Sequence, residues 1–241
     1  MDYKYSSVTN IGLKRLDNED SLGIYKIENG ILAIVCDGLG GNKAGDIASQ
    51  LSVNTVYEFF KFSNQNDYLE RIKSSITEAN NCILQKASTS SDFKGMATTI
   101  DVLFLLENIA YCGHVGDSRM YFLRNGKIKQ LTKDHSLVQK LIDEGLLTIN
   151  EAEHHPNKNI IMRALGDNSA FEIDLSKIIL NSSDNYLFFL CTDGVTTVVK
   201  DNELEKILAD YDNIKKTLSD LIKERGAPDN FTFVSITKNQ E

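Results

Sequence analysis

The chain has 241 residues, 41% of them hydrophobic and 25% charged, with a formal net charge of -8. This composition is ordinary for one large globular domain, and the acidic balance argues against nucleic acid or an anionic membrane as the main partner. No apolar run approaches the roughly 18 residues of a membrane-spanning helix, and residues 1–10 lack the apolar core of a signal peptide. We therefore expect a cytoplasmic protein that binds neither nucleic acid nor membrane.

Apolar and β-branched runs bounded by turn residues predict the strands. In chain order they cover residues 31–36, 98–106, 110–115, 120–123, 127–131, 186–192 and 231–237. Asn125-Gly126 predicts a tight hairpin turn, because both residues tolerate positive φ. Three of the four cysteines (Cys36, Cys112 and Cys191) fall inside strand runs, where we expect free buried thiols rather than disulfides or a zinc site.

Apolar residues at steps of three and four predict helices between these strands. The stripes span residues 46–60, 69–83, 137–142 and 214–222, and a glycine follows each of the last two as a helix stop. Hairpin-linked strands in groups, with helices in pairs between them, favour an α+β architecture of antiparallel sheets covered by helices. Because no repeat, linker or low-complexity tract interrupts it, the chain is predicted to form a single domain.

Acidic residues stand at or near the ends of the predicted strands, namely Asp37, Asp117, Asp193 and Asp229. A carboxylate held rigidly at a strand end loses hydration, which is unfavourable unless a cation or a hydrogen-bond donor offsets it. One such residue would be ordinary. A set spread over almost the whole chain predicts a site where oxygen ligands converge on hard divalent metal ions.

Each acidic motif also has an ordinary structural interpretation. The glycine-rich run at residues 38–41 can be a simple strand-to-helix turn, although its glycines would also let the backbone approach a ligand closely. The other three aspartates can cap backbone amides in turns. Near the N-terminus, Arg15 can bind phosphate oxygens through its planar fork of donors, or it can form a local ion pair.

Short stretches in a fixed order give the most specific signal. They are residues 15–20 (RLDNED), 35–41 (VCDGLGG), 95–99 (GMATT), 115–119 (VGDSR), 131–136 (LTKDHS), 155–166 (HPNKNIIMRALG), 192–194 (TDG) and 229–230 (DN). This series resembles the metal-dependent protein serine/threonine phosphatases, the type 2C or PPM family, and is most similar to the stand-alone bacterial members. The resemblance covers about the whole chain, and many ordered motifs are far more specific than any single pattern.

The resemblance implies a four-layer αββα fold, in which a central sandwich of two antiparallel β-sheets is flanked by helices. It implies one phosphatase catalytic domain over residues 1–241, with a flap segment at about 146–164 beside the active site. It also implies that phosphoserine and phosphothreonine in proteins are hydrolysed by metal-activated water, so that no protein nucleophile is needed.

The family resemblance implies two core Mn²⁺ or Mg²⁺ ions and a possible third, weaker ion. Asp37, Asp193 and Asp229 resemble the ligands of one core ion, while Asp37 and the carbonyl oxygen of Gly38 resemble those of the other. Asp117 resembles the ligand that binds the third ion together with Asp193. An all-oxygen ligand set also favours Mg²⁺ or Mn²⁺ over zinc or copper.

Further implied roles lie near the N-terminus. Glu19 and Asp20 would hold waters of the second ion, and Arg15 would bind the phosphate of the substrate. The expected catalytic residues are therefore Arg15, Asp37 and Asp193. Leu39 is a departure, because many eukaryotic members carry histidine there as a possible general acid, and the identity of any such acid is left open.

The expected partners are phosphorylated proteins and a serine/threonine kinase that opposes the phosphatase, and the chain is expected to be a monomer. Two alternative functions are open. A catalytically inactive binding module of the same fold is disfavoured by the intact acid set. A metal-dependent hydrolase of small phosphoesters is not excluded by the motifs.

Overall fold

The computed structural model describes residues 3–39, 44–167, 171–181 and 184–238. Its strands are, in chain order, β1 (Tyr3–Asn10), β2 (Asp20–Ile27), β3 (Gly30–Leu39), β4 (Ala97–Thr98), β5 (Ile100–Leu106), β6 (Ile109–Val115), β7 (Arg119–Arg124), β8 (Lys127–Gln130), β9 (Asp174–Ile179), β10 (Tyr186–Cys191) and β11 (Phe231–Lys238). Its α-helices are α1 (Gly45–Phe62), α2 (Tyr68–Ala87), α3 (Leu137–Asp143), α4 (Ile149–Glu153), α5 (Asp193–Thr196), α6 (Asp201–Leu208) and α7 (Ile214–Glu224).

The strands form two antiparallel sheets whose apolar faces pack together. One sheet has the order β1-β11-β10-β7-β8, and the other has the order β2-β3-β5-β6-β9 with the short β4 paired to β3. The layer between them is fully buried and draws on both sheets, for example Val35 and Leu103 from one and Phe188 and Val234 from the other. Removal of this apolar surface from water is the main force that holds the sheets together.

Helices cover the outer face of each sheet. α1 and α2 bury Val56 and Ile72 in a core shared with the β3-containing sheet, and α6 and α7 bury Leu204 and Leu218 in a core shared with the β10-containing sheet. The result is the four-layer αββα sandwich that the sequence predicts, so the expected fold class is confirmed.

The predicted strands and helices are present, with shifted ends, and the predicted strand over 98–106 is divided at Thr99. The predicted hairpin turn is also present, with φ of 50° at Asn125 and 78° at Gly126. The sequence patterns missed β1, β2, β9 and α4 to α6. β1 and β9 pair on one side only and are largely exposed, so they lack the apolar alternation of an interior strand.

β3 runs further than predicted, so Asp37 and Gly38 lie within the strand rather than after it. The extension arises because Asp37 pairs with Asp20 of β2, and Gly38 and Leu39 pair with β4. Gly40 and Gly41 of the predicted glycine turn lie outside the described residues.

Residues 146–164, which we call the flap, lie between β8 and β9 in the chain and carry α4. Isolated pairings join Ser136 to Ile161 and Thr98 to Leu165. Among the residues described, no helix is long and apolar enough to cross a membrane.

Candidate active site

Asp37 is fixed through its backbone. Its N–H donates to Thr99 Oγ1 at 2.9 Å, and its carbonyl oxygen accepts from the Thr99 N–H at 2.9 Å and from Thr98 Oγ1 at 2.8 Å. These bonds orient the residue without using its carboxylate. Thr98 and Thr99 belong to the GMATT stretch, to which the sequence analysis assigned no role, and their contacts with Asp37 reveal one.

Gly38 marks a point where three backbone segments meet. Its N–H donates to the carbonyl oxygen of Glu19 at 3.1 Å, and a Cβ at this position would lie 2.2 Å from the carbonyl oxygen of Gly45. Only glycine allows this approach. The Glu19 side chain also packs against this point, because a Cβ on Gly45 would lie 2.8 Å from Glu19 Oε1. Burial raises the pKa of Glu19, while the charge of Arg15 opposes the rise.

Asp20 stands directly opposite Asp37 in the β2–β3 ladder. Thr192, at the end of β10, donates from Oγ1 to Asp20 Oδ2 at 2.9 Å and so links the two sheets. Burial raises the pKa of Asp20 to about 7; the Thr192 hydroxyl opposes this rise, and the charges of Asp193 and Asp229 add to it.

Asp193 is the first residue of α5 and is separated from the end of β10 by Thr192 alone. The start of this helix packs against the loop before β11 so closely that a Cβ on Gly194 would lie 1.8 Å from the carbonyl oxygen of Asn230. Burial, and next the charge of Asp229, raise the pKa of Asp193 to about 6, and a hydrogen bond with Asp37 opposes this.

Arg15 and Asp229 form an ion pair at the mouth of the site. Arg15 Nη2 donates to Asp229 Oδ2 at 2.7 Å, and the Arg15 side chain remains 52% exposed. The hydrogen bond to Asp229 raises the pKa of Arg15 above its ordinary value. The pair therefore places a guanidinium beside the carboxylates while leaving much of its donor surface open.

Asn230 holds the loop that carries Arg15. Its side-chain oxygen accepts from the Glu19 N–H at 2.9 Å, and its amide nitrogen donates to the carbonyl oxygens of Ile11 at 2.8 Å and Asp17 at 3.0 Å. The residue is almost fully buried. In the sequence, Asn230 stands out only as part of a motif. Its function depends on contacts more than 200 positions apart in the chain, which no local pattern reveals.

Asp117 occupies the turn between β6 and β7, as the sequence predicts. Its Oδ1 atom is buried and has no hydrogen-bond partner among the described residues. Burial, and next the charges of Asp193 and Asp134, raise the pKa of Asp117 to about 7. An unpaired, buried carboxylate oxygen of this kind is costly unless a ligand satisfies it.

The four strand-end aspartates converge in the fold. Burial raises the pKa of Asp37 well above the ordinary value for aspartate, and the charges of Asp20, Asp193, Asp117 and Asp229 raise it further. These carboxylates come from both sheets and repel one another. Protons or a bound cation must relieve that repulsion.

This donor set fits hard divalent cations. It consists of carboxylate oxygens and the backbone carbonyl oxygen of Gly38, and one of the carboxylate oxygens, Asp117 Oδ1, is buried without a partner among the described residues. Among the described residues, no three acidic, histidine or cysteine side chains are arranged closely enough to hold a metal ion by themselves. Any ion bound here would therefore need oxygens of water or substrate to complete its coordination, as Mg²⁺ usually does.

Neither Leu39 nor the histidines supply an obvious acid at this cluster. Leu39 is the last residue of β3 and pairs with Ala97 of β4. His114 is buried against Asp101, with 2.7 Å between Nδ1 and Oδ1, and His154 lies exposed in the flap.

By fold, the chain falls in the class of protein phosphatases, as the comparisons with known proteins show. The family profile for Protein phosphatase 2C matches residues 14–225. The serine/threonine phosphatase stp of Listeria monocytogenes is 35% identical over 243 residues, which cover 96% of this chain and 94% of that protein.

Solved structures agree with this assignment. The serine/threonine phosphatase Stp1 from Staphylococcus aureus is 30% identical, with a TM-score of 0.92 over 100% of this chain and 96% of that one. The catalytic domain of the serine/threonine protein phosphatase PstP, in complex with two manganese ions, is 31% identical, with a TM-score of 0.85 over 98% and 97% of the two chains. The chain belongs to the protein phosphatase 2C family, and its relatives are bacterial serine/threonine phosphatases.

Proposed function

We propose that the chain removes phosphate from phosphoserine and phosphothreonine in proteins and that it requires Mn²⁺ or Mg²⁺. The observation that carries this proposal is the convergence of buried, mutually repelling aspartates beside one exposed arginine. A cluster of this kind recruits cations, and the arginine recruits an anion. The substrates would be the products of an opposing serine/threonine kinase.

The proposed ligand sets follow the positions in the fold. Asp37, Asp193 and Asp229 would hold one ion, Asp37 and the Gly38 carbonyl oxygen the second, and Asp117 with Asp193 a third, weaker one. When bound, such ions lower the pKa of a water molecule and neutralise charge on the phosphoryl group. Glu19 and Asp20 border this set and would accept hydrogen bonds from the ions' waters.

Arg15 is proposed to orient the phosphate. The bond to Asp229 holds the guanidinium in place, and its planar fork can donate to two phosphate oxygens at once. Asn230 supports this role indirectly, because it fixes the backbone on both sides of Arg15. Leu39 contributes no proton, so the leaving oxygen must be protonated by another group in the site.

A groove beside the acids favours a protein substrate over a small ester. It has a volume of about 610 Å³ and runs between the flap and the segment from α5 to α6, with Asp117 and Asp193 among its lining residues. Lys158 and Lys200 also line it, together with apolar side chains such as Val138. This space is available to the polypeptide that flanks a phosphorylated residue.

The substrate class can be tested directly. Phosphate release is measured from a phosphothreonine peptide and from p-nitrophenyl phosphate, with Mn²⁺ and with chelator. We expect metal-dependent turnover of both. Turnover of the small ester alone would favour a hydrolase of small phosphoesters, and no turnover of either would favour a catalytically inactive module.

A further inference from the structure

His135 lies between the flap and the turn that carries Asp117. It belongs to the LTKDHS stretch, for which the sequence supplied no role, and it is almost fully buried between β8 and α3. We call residues 116–118 the Asp117 turn. His135 contacts this turn on one side and the end of the flap on the other.

Two hydrogen bonds join His135 to the Asp117 turn. The His135 N–H donates to the carbonyl oxygen of Gly116 at 2.7 Å, and the Gly116 N–H donates to His135 Nδ1 at 3.1 Å. Gly116 immediately precedes Asp117. Because Asp117 Oδ1 has no hydrogen bond of its own within the described part of the chain, the backbone of this turn determines where the carboxylate points.

Thr99 braces the opposite side of the same turn. Its hydroxyl lies 2.7 Å from Ser118 Oγ, and a Cβ on Gly116 would lie 2.5 Å from Thr99 Cβ. Gly116 has a φ of 118°, which a residue with a side chain rarely adopts. The turn is therefore held between Thr99, which also bonds Asp37, and His135.

The other edge of the His135 ring faces the end of the flap. Nε2 lies 3.2 Å from Asp174 Oδ2 and 3.3 Å from Arg163 Nη1, and Arg163 in turn pairs with Glu172 at 2.8 Å. The carbonyl oxygen of His135 accepts from the Met162 N–H at 2.6 Å. Residues 162–163 are thus in direct contact with His135.

The bond from Gly116 requires a neutral ring with its proton on Nε2, because Nδ1 must accept. Nε2 then donates to Asp174 and cannot also accept from Arg163, which joins the same group through its ion pair with Asp174 at 3.3 Å. Burial, followed by the nearby His114, lowers the pKa of His135, which agrees with this form. One nitrogen therefore serves the turn and the other serves the flap side.

We propose that His135 is a positioning residue that couples the flap to the Asp117 turn and thereby sets the position of the Asp117 carboxylate. The consequence for metal binding rests on the proposed role of Asp117 as a ligand. Movement of the flap over a bound protein would, through this residue, change the affinity of the weakest ion.

Two substitutions separate the functions of the two ring nitrogens. His135→Asn keeps an acceptor near the position of Nδ1 but removes the contacts of Nε2, whereas His135→Gln does the reverse. His154→Asn is the matched control, because His154 is an exposed flap histidine whose Nδ1 lies 3.0 Å from the carbonyl oxygen of Asn150. Asp117→Ala, alone and combined with His135→Gln, completes a double-mutant cycle.

Two measurements report on the coupling without relying on turnover. Amide hydrogen exchange of Gly116, followed by NMR, reads the bond to Nδ1, and electron paramagnetic resonance of Mn²⁺ counts the bound ions and their affinities. We expect His135→Gln to speed exchange at Gly116 and to weaken the weakest ion roughly five- to ten-fold, as for loss of one hydrogen bond. His135→Asn should preserve both properties, and His154→Asn should match the wild type.

The cycle distinguishes coupling from general damage. We expect His135→Gln to cause no further loss of Mn²⁺ in the Asp117→Ala background. Equal losses in both backgrounds, or unchanged Gly116 exchange in a folded His135→Gln protein, would overturn the proposal. Should His135→Gln not fold, NMR of the wild-type ring decides: a proton on Nδ1 is incompatible with the proposal, and a proton on Nε2 supports it. If Asp117→Ala binds as many ions as the wild type, the ligand role is wrong, and Gly116 exchange alone decides the coupling.

Discussion

Replacing Asp193 with asparagine is expected to stabilise the metal-free protein while abolishing its activity. Asp193 is buried among other carboxylates, and the fold raises its pKa from 3.8 to about 6. A shift of one pKa unit corresponds to about 1.4 kcal/mol, so the ionised carboxylate destabilises the metal-free fold by up to about 3 kcal/mol. Asparagine removes that charge and can still donate a hydrogen bond to Asp37.

The pH dependence has a defined sign. The native state binds the proton of Asp193 more tightly than the unfolded chain does, so wild-type stability decreases as pH rises from about 4 to about 6. The Asp193→Asn protein does not lose stability in this way, because asparagine does not ionise. The gain in the free energy of unfolding should therefore be small near pH 4 and reach its full value above about pH 7.

Urea unfolding in the presence of chelator, at pH 5 and pH 8, measures this gain. Asp220→Asn is the control, because Asp220 is exposed on α7. On addition of Mn²⁺ the order should reverse, with the wild type stabilised and Asp193→Asn largely unaffected. A metal-free Asp193→Asn protein that is less stable than the wild type at pH 8, or a gain of equal size at both pH values, would refute the reasoning.

Three further predictions concern the site. Arg15→Ala should raise KM for a phosphopeptide roughly ten-fold, through loss of charge-assisted hydrogen bonds, with a smaller change in kcat; steady-state kinetics with an unchanged KM would contradict the phosphate-binding role. Asp117→Ala should lower activity at limiting Mn²⁺, and unchanged activity across a Mn²⁺ titration would make the third ion dispensable. Gly194→Ala should cost about 3 kcal/mol of stability, because its methyl group would lie 1.8 Å from the Asn230 carbonyl oxygen. A thermal melt identical to that of the wild type would show that this packing is looser than described.

Local sequence patterns predicted the buried parts of the fold. The strand runs ending near Asp37 and Asp193 are continuously apolar because both faces of their sheets are covered, by the other sheet and by helices. β2, which begins at Asp20, mixes polar and apolar residues and was missed. Consequently the pairing of Asp20 with Asp37 was not anticipated, although both residues belong to quoted motifs.

The residues of the candidate site were predicted from the sequence, but the contacts that position them were not. Ordered motifs named the acids and Arg15, because each motif is local in sequence. The contacts that position them are not local: Asn230 bonds Glu19 across 211 positions, and Thr99 bonds Asp37 across 62. Such contacts leave no periodic pattern in one sequence, so they emerge only from the folded arrangement of the two sheets.

The central claim is that the converging aspartates form a metal-dependent phosphatase site. Its most direct test measures phosphate release from a phosphothreonine peptide by chelator-treated wild type and Asp37→Asn, before and after addition of Mn²⁺. We expect the wild type to be inactive without the ion and active with it, and Asp37→Asn to remain inactive in both conditions. Undiminished wild-type turnover in chelator, or Mn²⁺-restored turnover in Asp37→Asn equal to that of the wild type, would contradict the claim.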